Sequence, residues 1–123
     1  MPLLPFQPQF SVIRIETLEG GNTVANCDLK NALIQVSSSD PGHNVVKNNI
    51  IISSPGNGIS VSGGPDNLIQ GNTIQQATAK GIYINAERSI VKENIINKSG
   101  NDGIFSTGSA DSIYDSNIVT NSG

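Results

Sequence analysis

Short alternations of apolar and polar residues run along most of this chain and recur at a nearly constant interval. In Asn67 to Ala86, NLIQGNTIQQATAKGIYINA, the apolar positions fall as x-I-x-x-N-x-I and then as G-I-x-I. No ten-residue run keeps the spacing of an amphipathic helix, whereas brief alternations rich in Ile, Val and Asn are strand-like. Aligning on the central asparagine puts Asn49, Asn72, Asn94 and Asn117 in one column, at intervals of 23, 22 and 23 residues, with Cys27 in the same slot 22 residues earlier. Gly58, Gly81 and Gly103 each follow their asparagine by nine residues and open Ile59-Ser60-Val61, Ile82-Tyr83-Ile84 and Ile104-Phe105-Ser106.

A period in the low twenties implies a solenoid, because one coil cannot bury its apolar face alone and must stack on its neighbours. A leucine-rich repeat has a similar period but needs a leucine scaffold, and this chain has only Leu3, Leu4, Leu18, Leu29, Leu33 and Leu68. The remaining reading is an all-β parallel solenoid of about five coils, a prism roughly 20 to 25 Å tall at the usual strand spacing. Its inward slots fall to Val24, Leu29, Ile34 and Val36, then to Val46, Ile51, Ile59 and Val61. Ile69, Ile74, Ile82 and Ile84 fill the next coil, and Val91, Ile96 and Ile104 the one after.

Phe10 to Thr17 reads as the first strand, with Val12 or Ile13 and Ile15 turned inward and Leu18 to Gly21 as its turn. The coil from Asn22 to Gly42 has a middle turn about three residues shorter than later ones, and Ser37 to Gly42 restores the register. Residues 1–9 are set apart as an N-terminal cap or tail, since Pro2, Pro5 and Pro8 cannot donate to a strand ladder; residues 10–123 form the β-helix domain. As a cap, the segment would lay Leu3, Leu4 and Phe6 over the first coil.

The patterns NLIQGNTI with GIYI, and SIVKENII with GIFS, resemble the right-handed parallel β-helix repeats of the pectate-lyase-like superfamily, over residues 22 to 123. That resemblance implies a right-handed coil. It implies no single activity, because the superfamily holds polysaccharide lyases, galacturonases, alginate epimerases, tailspikes, accessory proteins and inert spacers. The three close aspartates of the galacturonases and the paired-aspartate motifs of the epimerases are absent here.

A net charge of −3 argues against nucleic acid as a partner. No apolar run reaches membrane-spanning length, and the opening residues lack the positive start and apolar core of a signal peptide, so neither membrane nor compartment is assigned. The lone Cys27 cannot form an internal disulfide and reads as a small packed residue in the asparagine column. That column reads as a structural ladder, in which each amide bonds a carbonyl of its own coil and the amide of the next.

Two outward columns carry the candidate chemistry. His43, Asp66, Arg88 and Asp111 each stand six residues before a ladder position, which stacks four titratable or charged groups along one edge. A base and a cation are what a lyase or epimerase needs to remove a proton beside a uronate carboxylate; alternating charges at a turn equally avoid like-charge stacking. In the second column Ser60, Tyr83 and Phe105 point outward, and two of only five aromatics stand side by side. They suit either a flat platform for sugar rings or a subunit contact. No cofactor is called for. Calcium would be the cation the resemblance suggests, with Asp66, Asp111 and Asp115 the nearest acidic set, although Arg88 interrupts it.

Together these readings describe a non-catalytic scaffold or carbohydrate-contacting module, with a polysaccharide lyase or uronate epimerase as the alternative. Self-association as a dimer or trimer is expected, through Tyr83 and Phe105 or through the last coil, where Tyr114, Ile118 and Val119 stand uncovered. Polysaccharide is the other expected partner.

Overall fold

The computed structural model describes residues 11–17, 19–38, 42–108 and 110–123, and every regular element in them is a short strand. In order these are β1 (Ser11–Thr17), β2 (Thr23–Ala25), β3 (Asp28–Lys30), β4 (Ala32–Ser38), β5 (Val45–Lys47), β6 (Ile50–Ile52) and β7 (Ile59–Gly63). They continue as β8 (Leu68–Gln70), β9 (Thr73–Gln75), β10 (Ile82–Asn85), β11 (Ile90–Lys92) and β12 (Ile95–Asn97). The last are β13 (Ile104–Ser106), β14 (Ile113–Asp115) and β15 (Ile118–Thr120).

Every third strand pairs in parallel, which gives three five-stranded sheets. The A sheet runs β1-β4-β7-β10-β13, the B sheet β2-β5-β8-β11-β14 and the C sheet β3-β6-β9-β12-β15. The chain is thus the parallel solenoid its period implies. Inside it like stacks on like: Val24, Val46, Ile69 and Val91 in the B sheet, and Leu29, Ile51, Ile74 and Ile96 in the C sheet. Ile34, Ile59 and Ile82 do the same in the A sheet, and all three are fully buried. Branched side chains suit these slots because they pack well across a pleat and lose little χ1 freedom there.

In β1, Ile13 and Ile15 face inward opposite Ile34 and Val36, and Val12 is on the exposed face. The shorter middle turn is present, for Ala32 follows the corner residue Asn31 directly, whereas Ser53 to Gly58 intervene between β6 and β7. The expected cap in residues 1–9 and part of the register-restoring loop lie outside the described residues. At the other end Tyr114 and Val119 take inward slots but are exposed, and Ile118 is exposed outward, as the pattern implied.

Each corner has a column of residues with a left-handed backbone. Asn26, Asn48, Gly71, Glu93 and Ser116 occupy the B-to-C corner, and Asn31, Ser53, Gln76, Lys98 and Asn121 follow the C strands. Gly21, His43, Asp66, Arg88 and Asp111 precede the B strands. The glycines at the start of the A strands have another cause. A Cβ on Gly81 would lie 2.5 Å from the Gly103 carbonyl oxygen and 2.5 Å from Ile96 Cγ2, so the column is glycine for want of space.

Just after the B-to-C corner stands the ladder. Asn72 Nδ2 donates to Asn94 Oδ1 at 2.9 Å and to the Val46 carbonyl at 2.9 Å, while its Oδ1 accepts from Asn49 Nδ2 at 3.0 Å and the Asn49 amide at 3.1 Å. All four hydrogen-bonding positions of the amide are used, which is why Asn49, Asn72 and Asn94 tolerate complete burial. Two expectations need correction. The accepting carbonyl belongs to the preceding coil, because parallel strands aim their carbonyls along the solenoid axis. Cys27 is only half-buried, since it ends the ladder by donating its backbone amide to Asn49 Oδ1.

Candidate ligand-binding face

The outward positions of the A sheet build the first part of the site. Parallel register aligns Arg14, Gln35, Ser60, Tyr83 and Phe105 across the strands. Arg14 Nε donates to Gln35 Oε1 at 3.0 Å, and Asn57 Nδ2 donates to Ser60 Oγ at 3.0 Å. The Tyr83 and Phe105 rings lie 5.9 Å apart at an interplanar angle of 8°, and Lys80 Nζ sits 4.9 Å from the Phe105 ring centre. The flat side-by-side platform expected from the sequence is therefore a slipped stack. Strands about 4.8 Å apart bring rings on adjacent coils close enough to overlap, and each then shields part of the other. Ser60, the small neighbour below Tyr83, is too short to cover the opposite face of that ring. Phe105 remains 37% exposed.

Two residues further along the same face stands Asn85, opposite Ser62. It borders a polar cavity of about 550 Å³ lined also by Gly63, Pro65, Glu87, Arg88 and Gly108. Gly108 has a left-handed backbone, and a Cβ there would meet Asn85 Oδ1 at 2.7 Å, so its glycine leaves room for the Asn85 amide beside the loop. Through Arg88 the cavity joins the two columns that the sequence singled out separately.

The charged column proves to be the left-handed corner before the B strands. Backbone bonds tie each rung to the next: the His43 amide donates to the Pro65 carbonyl, the Asp66 amide to that of Glu87 and the Arg88 amide to that of Ala110. Arg88 grips Asp66 with Nε on Oδ1 at 3.0 Å and Nη2 on Oδ2 at 3.3 Å, and Glu87 Oε2 lies 3.5 Å from Arg88 Nη1. The hydrogen bond from Arg88, reinforced by its charge and weakly by that of His43, holds the Asp66 carboxyl below its ordinary range. The bond and charge of Asp66 in turn raise Arg88. Both side chains remain well solvated, so the pair contributes little to stability.

Of the four column residues, Asp66 and Arg88 are brought into contact and Arg88 reaches the cavity. His43 and Asp111 are in the column but form no ion pair among the described residues. A carboxylate whose two oxygens already accept from a guanidinium is a weak base, and an arginine shared by two carboxylates is a poorer electrophile than a free one. Among the described residues no three of His, Cys, Asp and Glu come together as metal ligands.

Sequence reasoning missed a second ladder, just after the charged corner. Asn22 donates to Asn44 Oδ1, Asn44 to Asn67 Oδ1 and Asn67 Nδ2 to Ser89 Oγ, after which the Ser89 amide donates to Ser112 Oγ. The signal was the same alternation of 22 and 23 residues, hidden by the change from asparagine to serine. Lys80, Asn57 and Asn85 were also missed.

A family model described as a right-handed beta helix region matches residues 14–123. This chain belongs to that family. Comparison with curated proteins gives no match, and comparison with solved structures gives none either. The right-handed beta helix assignment accounts for the stacked sheets and the ladder as a scaffold. It leaves the chemistry of the outward face to be argued from the residues on it.

Proposed function

We propose that this β-helix is a non-catalytic scaffold whose A-sheet face contacts carbohydrate. The observation that carries the reading is the exposed Tyr83 and Phe105 stack beside a cavity lined by Asn85, Glu87 and Arg88. Binding sites of this kind combine apolar surface with a few polar groups that fix orientation. The C–H faces of a sugar pack on the ring surface that Ser60 leaves open, and its hydroxyls reach amide and carboxylate partners along the strand. The tied Asp66 and Arg88 pair supports binding over proton abstraction.

Titration with neutral and uronate oligosaccharides, followed by amide chemical shifts, tests this. Perturbations should cluster on β7, β10 and β13 and vanish in Tyr83→Ser with Phe105→Ser while the fold persists. Unsaturated uronate products, absorbing in the ultraviolet and lost in Arg88→Ala, would replace the scaffold reading with that of a polysaccharide lyase.

A further inference from the structure

The outward face of the B sheet is apolar along its middle. Register stacks Val45, Leu68, Ile90 and Ile113 there, and Ile90 and Ile113 are 36% and 55% exposed. The solvent face of a parallel strand normally carries polar residues, yet β11 and β14 place isoleucine on it. One flank of this stripe is the corner column His43, Asp66, Arg88 and Asp111. The other is Lys47, Gln70, Lys92 and Asp115, the last outward position of each strand. An apolar centre with a charged rim on both sides is the anatomy of a protein interface.

We propose that this face pairs two copies of the chain, B sheet against B sheet, with their solenoid axes antiparallel. The charges select the second copy as occupant, and they select its direction. Face-to-face packing with parallel axes brings each flank against the opposite flank of the partner on the same coil. Arg88 then meets the partner's Lys92, and Asp111 meets the partner's Asp115. With antiparallel axes each flank faces itself in reverse order. His43 meets the partner's Asp111 and Asp66 meets the partner's Arg88; on the other flank Lys47 meets the partner's Asp115 and Gln70 the partner's Lys92. In the stripe between them Leu68 packs on the partner's Ile90, and Val45 on the partner's Ile113.

The register follows from the same charges. The two-fold axis passes between the rungs of Leu68 and Ile90. Sliding one copy by one coil, about 4.8 Å, sets Arg88 on the partner's Arg88 and Lys92 on the partner's Lys92. Sliding it the other way sets Asp66 on the partner's Asp66 and Lys47 on the partner's Lys92. Such an isologous contact closes on itself and grows no fibre. It also leaves the Tyr83 and Phe105 rings of the A sheet free, with Arg88 at the border of the two faces. Four coils of three-residue strands with their corners span roughly 15 to 20 Å in each direction, smaller than a standard interface, so the dimer is weak.

Sedimentation from about 10 µM to about 1 mM, the range in which small interfaces dissociate, reads it directly. The chain should pass from monomer to dimer, less readily in high salt. Ile90→Asp, on an outward side chain, should weaken dimerisation at least about tenfold with the circular dichroism unchanged. Lys47→Asp should weaken it comparably, and adding Asp115→Lys in the same chain should restore it, because each copy supplies both halves of the contact. Within one chain those two residues are three coils apart, roughly 14 Å, too far for direct pairing. A monomer mass throughout, association that survives Ile90→Asp as contact through the last coil would, or a double reversal that fails to restore the dimer would each overturn the proposal.

Discussion

The two ladder corners of this solenoid bend the chain by the same backbone device and differ in everything laid upon it. Between the B and C sheets one left-handed residue joins three-residue strands in every coil, and the ladder that follows is amide on amide from Asn49 to Asn117. Before the B sheet the connection changes length, the ladder passes from Asn67 to Ser89, and the left-handed position holds His, Asp, Arg and Asp. A left-handed backbone is costly for a side chain such as that of Arg88, and here amide bonds from His43, Asp66 and Arg88 to the next rung hold the corner. Constancy marks the corner that carries the load of stacking. Variation marks the corner free to present charge, cavity and contact, and there both the candidate carbohydrate face and the proposed dimer face meet.

Breaking the constant corner should cost most. Asn72→Leu removes two donors and two acceptor contacts at full burial, takes a donor from the Val46 carbonyl and leaves the Asn49 amide without its acceptor. The expected loss is about 2 to 4 kcal/mol. Asn117→Leu, half-buried on the last coil, should cost less in the same denaturant melts. Equal losses would mean that the coils do not share one cooperative stack.

The variable corner should yield more cheaply. Ser89 accepts from Asn67 over a long 3.4 Å and donates to the Glu87 carbonyl at 3.3 Å. Ser89→Ala should therefore cost about 1 kcal/mol, against the larger loss from Asn94→Ala on the same coil. A loss at Ser89 matching that at Asn94 would erase the distinction between the corners.

On the outward face the effect on folding should be smaller still. Tyr83→Ser with Phe105→Ser removes a stacked pair of the kind that contributes about 0.5 to 1.5 kcal/mol beyond burial, whereas Ile82→Ser opens the core at a fully buried position. The double variant should melt close to the parent and well above Ile82→Ser. Melting as low as Ile82→Ser would make these rings part of the core.

Legibility followed repetition. The period, the three sheets, the inward columns and the first ladder were readable because the same residue type returns to the same slot, as Ile69, Ile74 and Ile82 do one coil below Val91, Ile96 and Ile104. The second ladder was obscured where Asn67 gives way to Ser89, although the hydroxyl continues the bonding. The charged column was visible as a column, but not as a left-handed corner: His43, Asp66 and Asp111 are types that accept positive φ but also fit any polar turn, and Arg88 gives no such signal. With Val91 in the inward slot Ile90 had to point outward, but a lone apolar residue on a solvent face carries no signal until register stacks it on Leu68 and Ile113. Asn57 and Lys80 share a column just before Gly58 and Gly81, where the Lys80 amide donates to Asn57 Oδ1, but the change from amide to ammonium hid it, and only the fold brings them to Ser60 and Phe105.

The smallest effect should come from titrating the variable corner itself. Arg88 lowers Asp66 from its ordinary value of 3.8, so any stability the pair adds is present above that value and is lost as pH falls through the lower folded one. The window is thus below about pH 4. Both groups are solvated, so screening by water and salt leaves little to lose. At a dilution where the chain is monomeric, Asp66→Asn should melt indistinguishably from the parent at neutral pH, with any difference shrinking further below pH 4 and in high salt. A large loss at neutral pH that disappears in acid would mean that the pair props up the corner. The charges would then serve the fold before any partner, and the contrast between the two corners would fail at its most exposed point.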